Sequence, residues 1–574
     1  MGAGCCKNND VAANVKNIMV KPHSKVSPEN NHASTDNEYV EAEVCHENDI
    51  GENEMKNFEF ESADICTKVL VIKQKGKISA IGNKCSHYGA FLSMGVLGDG
   101  RVRCPWHGAC FNIETGDIED YPGQDSIPCY QVKIESGMVK VRAKKSALQS
   151  SKRTPEHVAR DLTSLQTFVI IGGGPSGAIC VEKLRQNFGG KIVLICRENY
   201  LPYDRVKVSK SMDSDIKSIL LRNEEFYDEH DIEVMLGISA TSLSLGSKEV
   251  SLSNGEKLKY DKVYIATGSS PATLNVPGMN LKNISTLRDI SESYQIMKKI
   301  NKNSHVVVIG VSFTGMEAAS FLVKKVAKIT VIGRDSVPFR HSFGPEIGEA
   351  IMNMFVNENI TFEMKNGIKK CIGNQKGEIE RIELNDGKVL QADILIVACG
   401  SVLNTAFLSD SGLVINKDGS IDTNEYLETT VNSDVYIGGD IANSPILMTG
   451  KRENIGHYPL AQYHGKIAAL NMCGIKTELK AVPFFWTMLF GKSFRYAGHG
   501  KPSEIKIIGS LETFKFVAYY INEEEQVIAA SSCGHDPIVA QFAEFLSQGK
   551  ILQKSDIEND PFGWTKRINE EREI

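Results

Sequence analysis

The stretch TFVIIGGGPSGAICVEKLR, Thr167 to Arg185, changes character in mid-run. Phe168 to Ile171 are apolar without alternation, as in a parallel strand buried on both faces. Gly172, Gly174 and Gly177 then make a G-x-G-x-x-G turn, and AICVEKLR opens a helix. Strand, glycine turn and helix in this order form a dinucleotide cradle. The backbone approaches a pyrophosphate closely, and the helix N-terminus faces its charge. A second apolar run, KIVLICRE, ends at Glu198, the spacing expected of an acid that grips ribose hydroxyls. Arg197 precedes it, which leaves the ribose-facing position open by one residue.

The pattern recurs. HVVVIGVSFTGMEAA, His305 to Ala319, sets Gly310, Ser312 and Gly315 at the same spacing, with serine as the smallest substitute for the middle glycine. Two copies predict two sites, one for FAD and one for a nicotinamide nucleotide. At the end of KITVIGRD, Gly333 and Arg334 stand where an acid would favour NADH. A small residue followed by Arg admits the 2′-phosphate of NADPH. The first copy ends in a similar Arg197-Glu198, so the cofactor is left as NADPH or NADH.

Upstream lies different chemistry. CSHYG places Cys85 and His87 one residue apart, and CPWHGACFNIETG places Cys104 and His107 two apart. Each thiol–imidazole pair is followed by a glycine, Gly89 or Gly108. Zinc fingers group Cys with Cys and His with His. Splitting the pairs between two loops suits a two-iron cluster, with one iron on both thiolates and the other on both imidazoles. Cys110 reads as a small core residue. This part resembles the Rieske [2Fe–2S] ferredoxins over roughly residues 40 to 145, with TKVLVIKQ, KISAIG and YQVKIESGMVKVRA as its strands. Ala90 and Trp106 occupy the positions where the respiratory branch of that family carries an extra disulfide.

From about residue 165 onward the chain resembles the flavoproteins with two dinucleotide domains. LPYDRVKVSK (Leu201 to Lys210), IATGSSP (Ile265 to Pro271), TLRD (Thr286 to Asp289), ILIVACG (Ile394 to Gly400) and DVYIGGD (Asp434 to Asp440) carry that likeness. No redox C-x-x-C or C-x₄-C follows Cys110, so the thiol-dependent branch does not apply. The Rieske domain, together with VPFFWTMLFGKSFRYAGHG from Val482, resembles the Rieske-bearing branch of the apoptosis-inducing-factor family. The likeness implies that Lys210 and Glu317 pair near the reactive nitrogen of the flavin. It also implies that Arg205 and Asp440 hold the ribityl and pyrophosphate portions, that Thr267 and Gly268 line the flavin, and that Trp486 shields one ring edge. Each has a plainer reading: Lys210 and Arg205 as surface charges, Glu317 as a helix N-terminal acid, Trp486 as a core aromatic.

The organisation expected is multidomain. A flexible tail covers 1–40, an all-β Rieske domain 41–145, and a linker 146–164. An α/β reductase follows, with an FAD-binding domain at 165–290 and 410–475 and an NAD(P)-binding domain at 291–409. An α+β interface domain covers 476–574. The net charge of -6 gives no reason to expect nucleic acid as a partner. No run approaches the roughly 18–20 apolar residues of a spanning helix. The 14 cysteines are scattered, as in a reducing compartment.

MGAGCCK offers Gly2 for myristoylation and Cys5 and Cys6 for palmitoylation, although Cys6 stands where the pattern wants Ser or Thr. Two readings stand: a lipid-tethered tail at a cytoplasmic membrane surface, or incidental cysteines in a polar tail. Family likeness adds mitochondria as an alternative location. The expected function is electron transfer from NAD(P)H through FAD to the chain's own cluster and on to an acceptor the sequence does not name. The competing expectation is a redox-gated regulator in programmed cell death, in which NAD(P)H changes conformation rather than sustaining turnover. A homodimer is a further expectation. The pair His457 and His464 in GHYPLAQYH lacks the carboxylate spacing of an oxygenase iron site. Whether the cluster docks near the flavin is not legible at this stage.

Overall fold

Thr167–Ile171 is the middle strand of a five-stranded parallel sheet. From one edge, its order is Ile232–Leu236, Lys191–Cys196, Thr167–Ile171, Lys262–Ile265 and Val435–Ile437. Unbroken apolar runs suit these positions because helices and loops cover both faces. The computed structural model describes residues 38–62 and 65–570. The expected acylation residues Gly2, Cys5 and Cys6 lie outside the described residues.

The second sheet repeats the first. Ile284–Thr286, Ile394–Val397, His305–Ile309, Lys328–Gly333 and Ile360–Met364 run parallel in that order. Each sheet also has a three-stranded antiparallel companion, Ala240–Lys259 for the first and Ile368–Gln391 for the second. The second unit starts earlier than the expected boundary at residue 291. Ile284–Thr286 pairs with Ile394–Val397, so this edge strand and the helix Ile290–Lys299 after it belong with the second sheet. A three-residue edge strand carries too little periodicity to be assigned from sequence.

The N-terminal unit is all β. Six antiparallel strands, from Tyr39–His46 to Met138–Lys144, form its base. A four-stranded sheet, Val96–Leu97, Arg101–Arg103, Cys110–Asn112 and Ile118–Asp120, carries the two Cys/His loops. The C-terminal unit is a five-stranded antiparallel sheet backed by the helix Ile538–Ser547. Among the described residues no helix is long and apolar enough to cross a membrane.

The units share packing. Ile179, on the helix Pro175–Asn187, is buried in the same apolar cluster as Ile118, Tyr121 and Ile127 of the N-terminal unit. Polar ties surround that seam. Arg222 bridges Asp125 (2.7 Å) and Glu182 (3.0 Å). Gln462 donates to the carbonyl of Gly123 (2.8 Å), and Lys466 to that of Glu119 (2.8 Å).

Candidate functional site

The two Cys/His loops fold on one scheme. In the first, the N–H of Gly89 donates to Cys85 O (2.9 Å) and that of Cys85 to Ala90 O (2.9 Å). In the second, Gly108 donates to Cys104 O (3.3 Å) and Cys104 to Ala109 O (2.7 Å). Gly89 and Gly108 close the loops at φ +77° and +81°, a region that costs any residue with a Cβ. The scheme sets like against like. Nδ1 of His87 lies 3.2 Å from Nδ1 of His107, and the buried thiols of Cys85 and Cys104 are neighbours that shift each other's titration. The Cys104 thiol and burial push Cys85 up, while the Cys85 thiol and the N–H groups of His107 and Trp106 pull Cys104 down.

Burial lowers His87 to about 3 and holds His107 well below the ordinary range, so both imidazoles are neutral and have lone pairs free to ligate. Among the described residues no group of three or more His, Cys, Asp or Glu converges on a single ion. A thiol pair beside an imidazole pair is a donor set for two irons, and it fits a [2Fe–2S] group of the mixed-ligand kind. Cys110 is buried, and desolvation keeps its thiol protonated, as suits a core residue.

Beside these loops a cavity of about 470 Å³ opens between the first sheet and the C-terminal unit. Its floor is the first glycine turn. A Cβ on Gly172 would meet Ala266 O at 2.2 Å, and one on Gly177 would meet Gly172 O at 2.0 Å. Those two glycines serve close packing of turn on strand. A Cβ on Gly174 would meet only Arg205 Nε, at 4.0 Å, so that position faces open space, as a phosphate approach requires. The second turn repeats the first two contacts: Gly310 against Ala398 O (2.1 Å) and Gly315 against Gly310 O (2.2 Å). Ser312 and Arg334 lie exposed at the end of the second sheet, outside this cavity.

The cavity gathers the remaining predicted residues. Glu198 pairs with Arg205 and accepts from the hydroxyl of Tyr203 (2.7 Å). Asp440 accepts from Arg288 (2.8 Å) and Ser269 (2.7 Å) through one oxygen. Thr267 and Gly268 are latched to Asn404, whose side chain donates to Thr267 O (3.0 Å) and whose N–H donates to Gly268 O (2.9 Å). Glu317, 5% exposed, joins three units. It meets Lys210 (2.5 Å) and Ser209 (2.6 Å) of the first, Thr487 (2.7 Å) of the C-terminal sheet, and sits on the Phe313–Leu322 helix of the second.

Sequence reasoning did not place His457 or Phe485 at this cavity. Both line the cavity, with their rings 4.9 Å apart, and Nδ1 of His457 is buried without a hydrogen-bond partner in the protein. A buried polar atom without a partner is rare in a folded protein, and this one belongs to a residue of the cavity wall. The His-x₆-His spacing drew attention only as a metal pair. It carries no signal for a lone imidazole on a cavity wall.

The Cys/His loops abut this cavity. Trp486 lines it and lies 4.3 Å from the ring of His107 and 5.6 Å from that of His87. Tyr88 stacks on His87 at 3.8 Å and donates to Asp204 (2.9 Å) of the reductase.

Two dinucleotide units, a cavity over the first glycine turn and a Cys₂His₂ loop pair define the class: an FAD-dependent NAD(P)H oxidoreductase fused to a Rieske [2Fe–2S] domain. Residues 166–465 match the pyridine nucleotide-disulphide oxidoreductase family, and residues 40–131 match the Rieske [2Fe-2S] domain. Apoptosis-inducing factor 3 of Homo sapiens is 39% identical over 545 residues, covering 94% of this chain and 87% of that protein. The chain belongs to the apoptosis-inducing factor 3 family.

A 3-phenylpropionate/cinnamic acid dioxygenase ferredoxin–NAD(+) reductase component of Photorhabdus laumondii is 27% identical over 369 residues, 64% of this chain and 92% of that one. In fold, the chain is similar to the covalent putidaredoxin reductase–putidaredoxin complex. The TM-score there is 0.67 at 21% identity, over 71% of this chain and 98% of that chain.

Proposed function

We propose that the protein moves electrons from NAD(P)H through FAD to its own Rieske cluster and on to a separate acceptor. One observation carries this reading: Trp486 lines the cavity and at the same time packs against both imidazoles of the loop pair. FAD, when bound, supplies the step between a two-electron hydride donor and a one-electron carrier.

The protein's part is to bind and position. Gly172, Gly174 and Gly177 with the N-terminus of the Pro175–Asn187 helix receive the pyrophosphate. Glu198 is already engaged by Arg205 and Tyr203, yet a carboxylate has lone pairs left for ribose hydroxyls. Arg205 and Asp440 hold the chain of the cofactor. Glu317 fixes the ammonium of Lys210, so that its charge faces one side of the cavity. Gly310, Ser312, Gly315 and Arg334 would hold the nicotinamide nucleotide, and the helix carrying Glu317 links that surface to the cavity. Cys85, His87, Cys104 and His107 are the cluster ligands.

Anaerobic titration with NADPH and then NADH, following flavin absorbance and the cluster's electron-spin signal together, tests this. Both centres should be reduced, and Cys104→Ser should abolish the spin signal while the flavin still bleaches. Bleaching of the flavin with a cluster that stays oxidised would overturn the relay and favour the regulatory reading.

A further inference from the structure

The Rieske unit touches the C-terminal unit through a buried ionic cluster that the relay as described does not use. Glu544, on the helix Ile538–Ser547, is 1% exposed. One of its oxygens accepts from Nε of Arg101 (3.1 Å) and the other from Nε of Arg103 (3.0 Å). Arg103 continues inward: Nη1 donates to the carbonyl of Gly108 (2.9 Å), the residue next to His107, and Nη2 to Asp120 (2.8 Å). Arg101 also donates to Ser547 (2.6 Å). The two guanidinium groups hold Glu544 and Asp120 below the usual carboxylate range against the opposing effect of burial. Two cations therefore face two anions, one anion from each unit.

Charges this deeply buried persist only when paired and hydrogen-bonded. Gly98 sits so close that a Cβ there would meet Glu544 Oε1 at 2.2 Å, so the carboxylate has a shaped seat. We propose that Glu544 is a positioning residue for the Rieske centre: through Arg103 it fixes the His107 loop against Trp486 and so makes the Rieske unit a fixed relay rather than a swinging one. This rests on the relay reading. Asp120 shares Arg103 but belongs to the Rieske unit itself, so it balances charge without tying the two units together.

The test compares the holoprotein with Glu544→Gln and Asp120→Asn. Each removes one anion near the cluster, which favours the reduced, more negative cluster, so both should raise its midpoint potential. Of these two, Glu544→Gln alone should also slow the flavin-to-cluster step in stopped flow, by about tenfold, equivalent to about 1.4 kcal/mol. It should also broaden the electron-spin lines, with flavin bleaching unchanged. Gly98→Ala, which displaces Glu544 without removing charge, should slow the same step with little change in potential, and it serves if Glu544→Gln does not fold. Wild-type transfer rate and line shape in both Glu544→Gln and Gly98→Ala would overturn the inference, as would equal slowing in Asp120→Asn. A wild-type cluster that never reduces would instead sink the relay.

Discussion

The indole of Trp486 lies 4.3 Å from the imidazole of His107, ring centre to ring centre, while its body forms part of the cavity wall. The strand Phe484–Leu489 thereby presents one aromatic both to the cavity and to the Cys/His loops. Thr487, the next residue, binds Glu317, so the strand's register also ties this contact to the Lys210 ion pair.

Trp486→Leu should therefore separate the two redox events. An aromatic pair contributes only about 0.5–1.5 kcal/mol beyond its burial, so the variant should fold and keep its flavin. Stopped-flow absorbance should show flavin bleaching by NADPH at the wild-type rate and cluster reduction slowed severalfold. Equal slowing of both would mean that Trp486 shapes the flavin site alone.

Glu317 should be the most sensitive carboxylate in the cavity. Glu317→Ala leaves Lys210, Ser209 and Thr487 without their common acceptor, and breaking a buried ion pair this way costs about 3–5 kcal/mol. Thermal unfolding should show that loss. Glu317→Gln keeps partners for both hydroxyls, so it should fold and bind FAD while bleaching more slowly than wild type. A Gln variant with wild-type bleaching would make the pair purely structural.

Arg334 should decide between nucleotides. It is exposed beyond Gly333, whose Cβ position is closed by Val311 at 2.5 Å. Loss of a charge-assisted hydrogen bond costs about 1.5–3 kcal/mol, so Arg334→Ala should raise KM for NADPH about tenfold or more. KM for NADH should stay as it was. A parallel rise for both nucleotides would remove Arg334 from 2′-phosphate recognition.

Acid should loosen the flavin domain through His464. This imidazole is buried beneath the DVYIGGD turn, accepts from Gly439 N–H (3.2 Å), and is lowered by burial from 6.5 to about 4. As pH falls from 6.5 toward 4 the unfolded chain takes up a proton that the folded one refuses, so stability declines through that window and is fully present above it. The contribution at stake is about 3 kcal/mol. His457, also lowered to about 4, titrates in the same window. Denaturant unfolding at pH 5 and pH 7 should show a smaller difference in His464→Asn than in wild type. An unchanged difference would assign the acid sensitivity elsewhere.

Motifs made of neighbours were legible in the sequence. The two glycine turns and the two Cys/His loops are each local, and their spacing is set by the backbone geometry of a few residues. Contacts between distant residues left no such mark. Arg103 and Glu544 are 441 positions apart, and neither stands out in its own strand or helix. His457 reads as one of several histidines until the fold puts it on the cavity wall with an unpartnered buried nitrogen. The docking of the Rieske loops on Trp486 was invisible for the same reason, since it depends on how three units pack rather than on any period within one.

Ile179 gives the seam at residues 146–164 an unexpected meaning. It is a cut in the sequence without a matching cut in the packing, because this side chain of the first dinucleotide helix is buried with Ile118, Tyr121 and Ile127 of the Rieske unit. A free ferredoxin must present a finished, soluble face to water and to each successive partner. Here the two halves cover each other at this cluster, so a chain severed at the seam would bare apolar surface on both fragments. The Rieske domain and the reductase thus come as one stoichiometric piece.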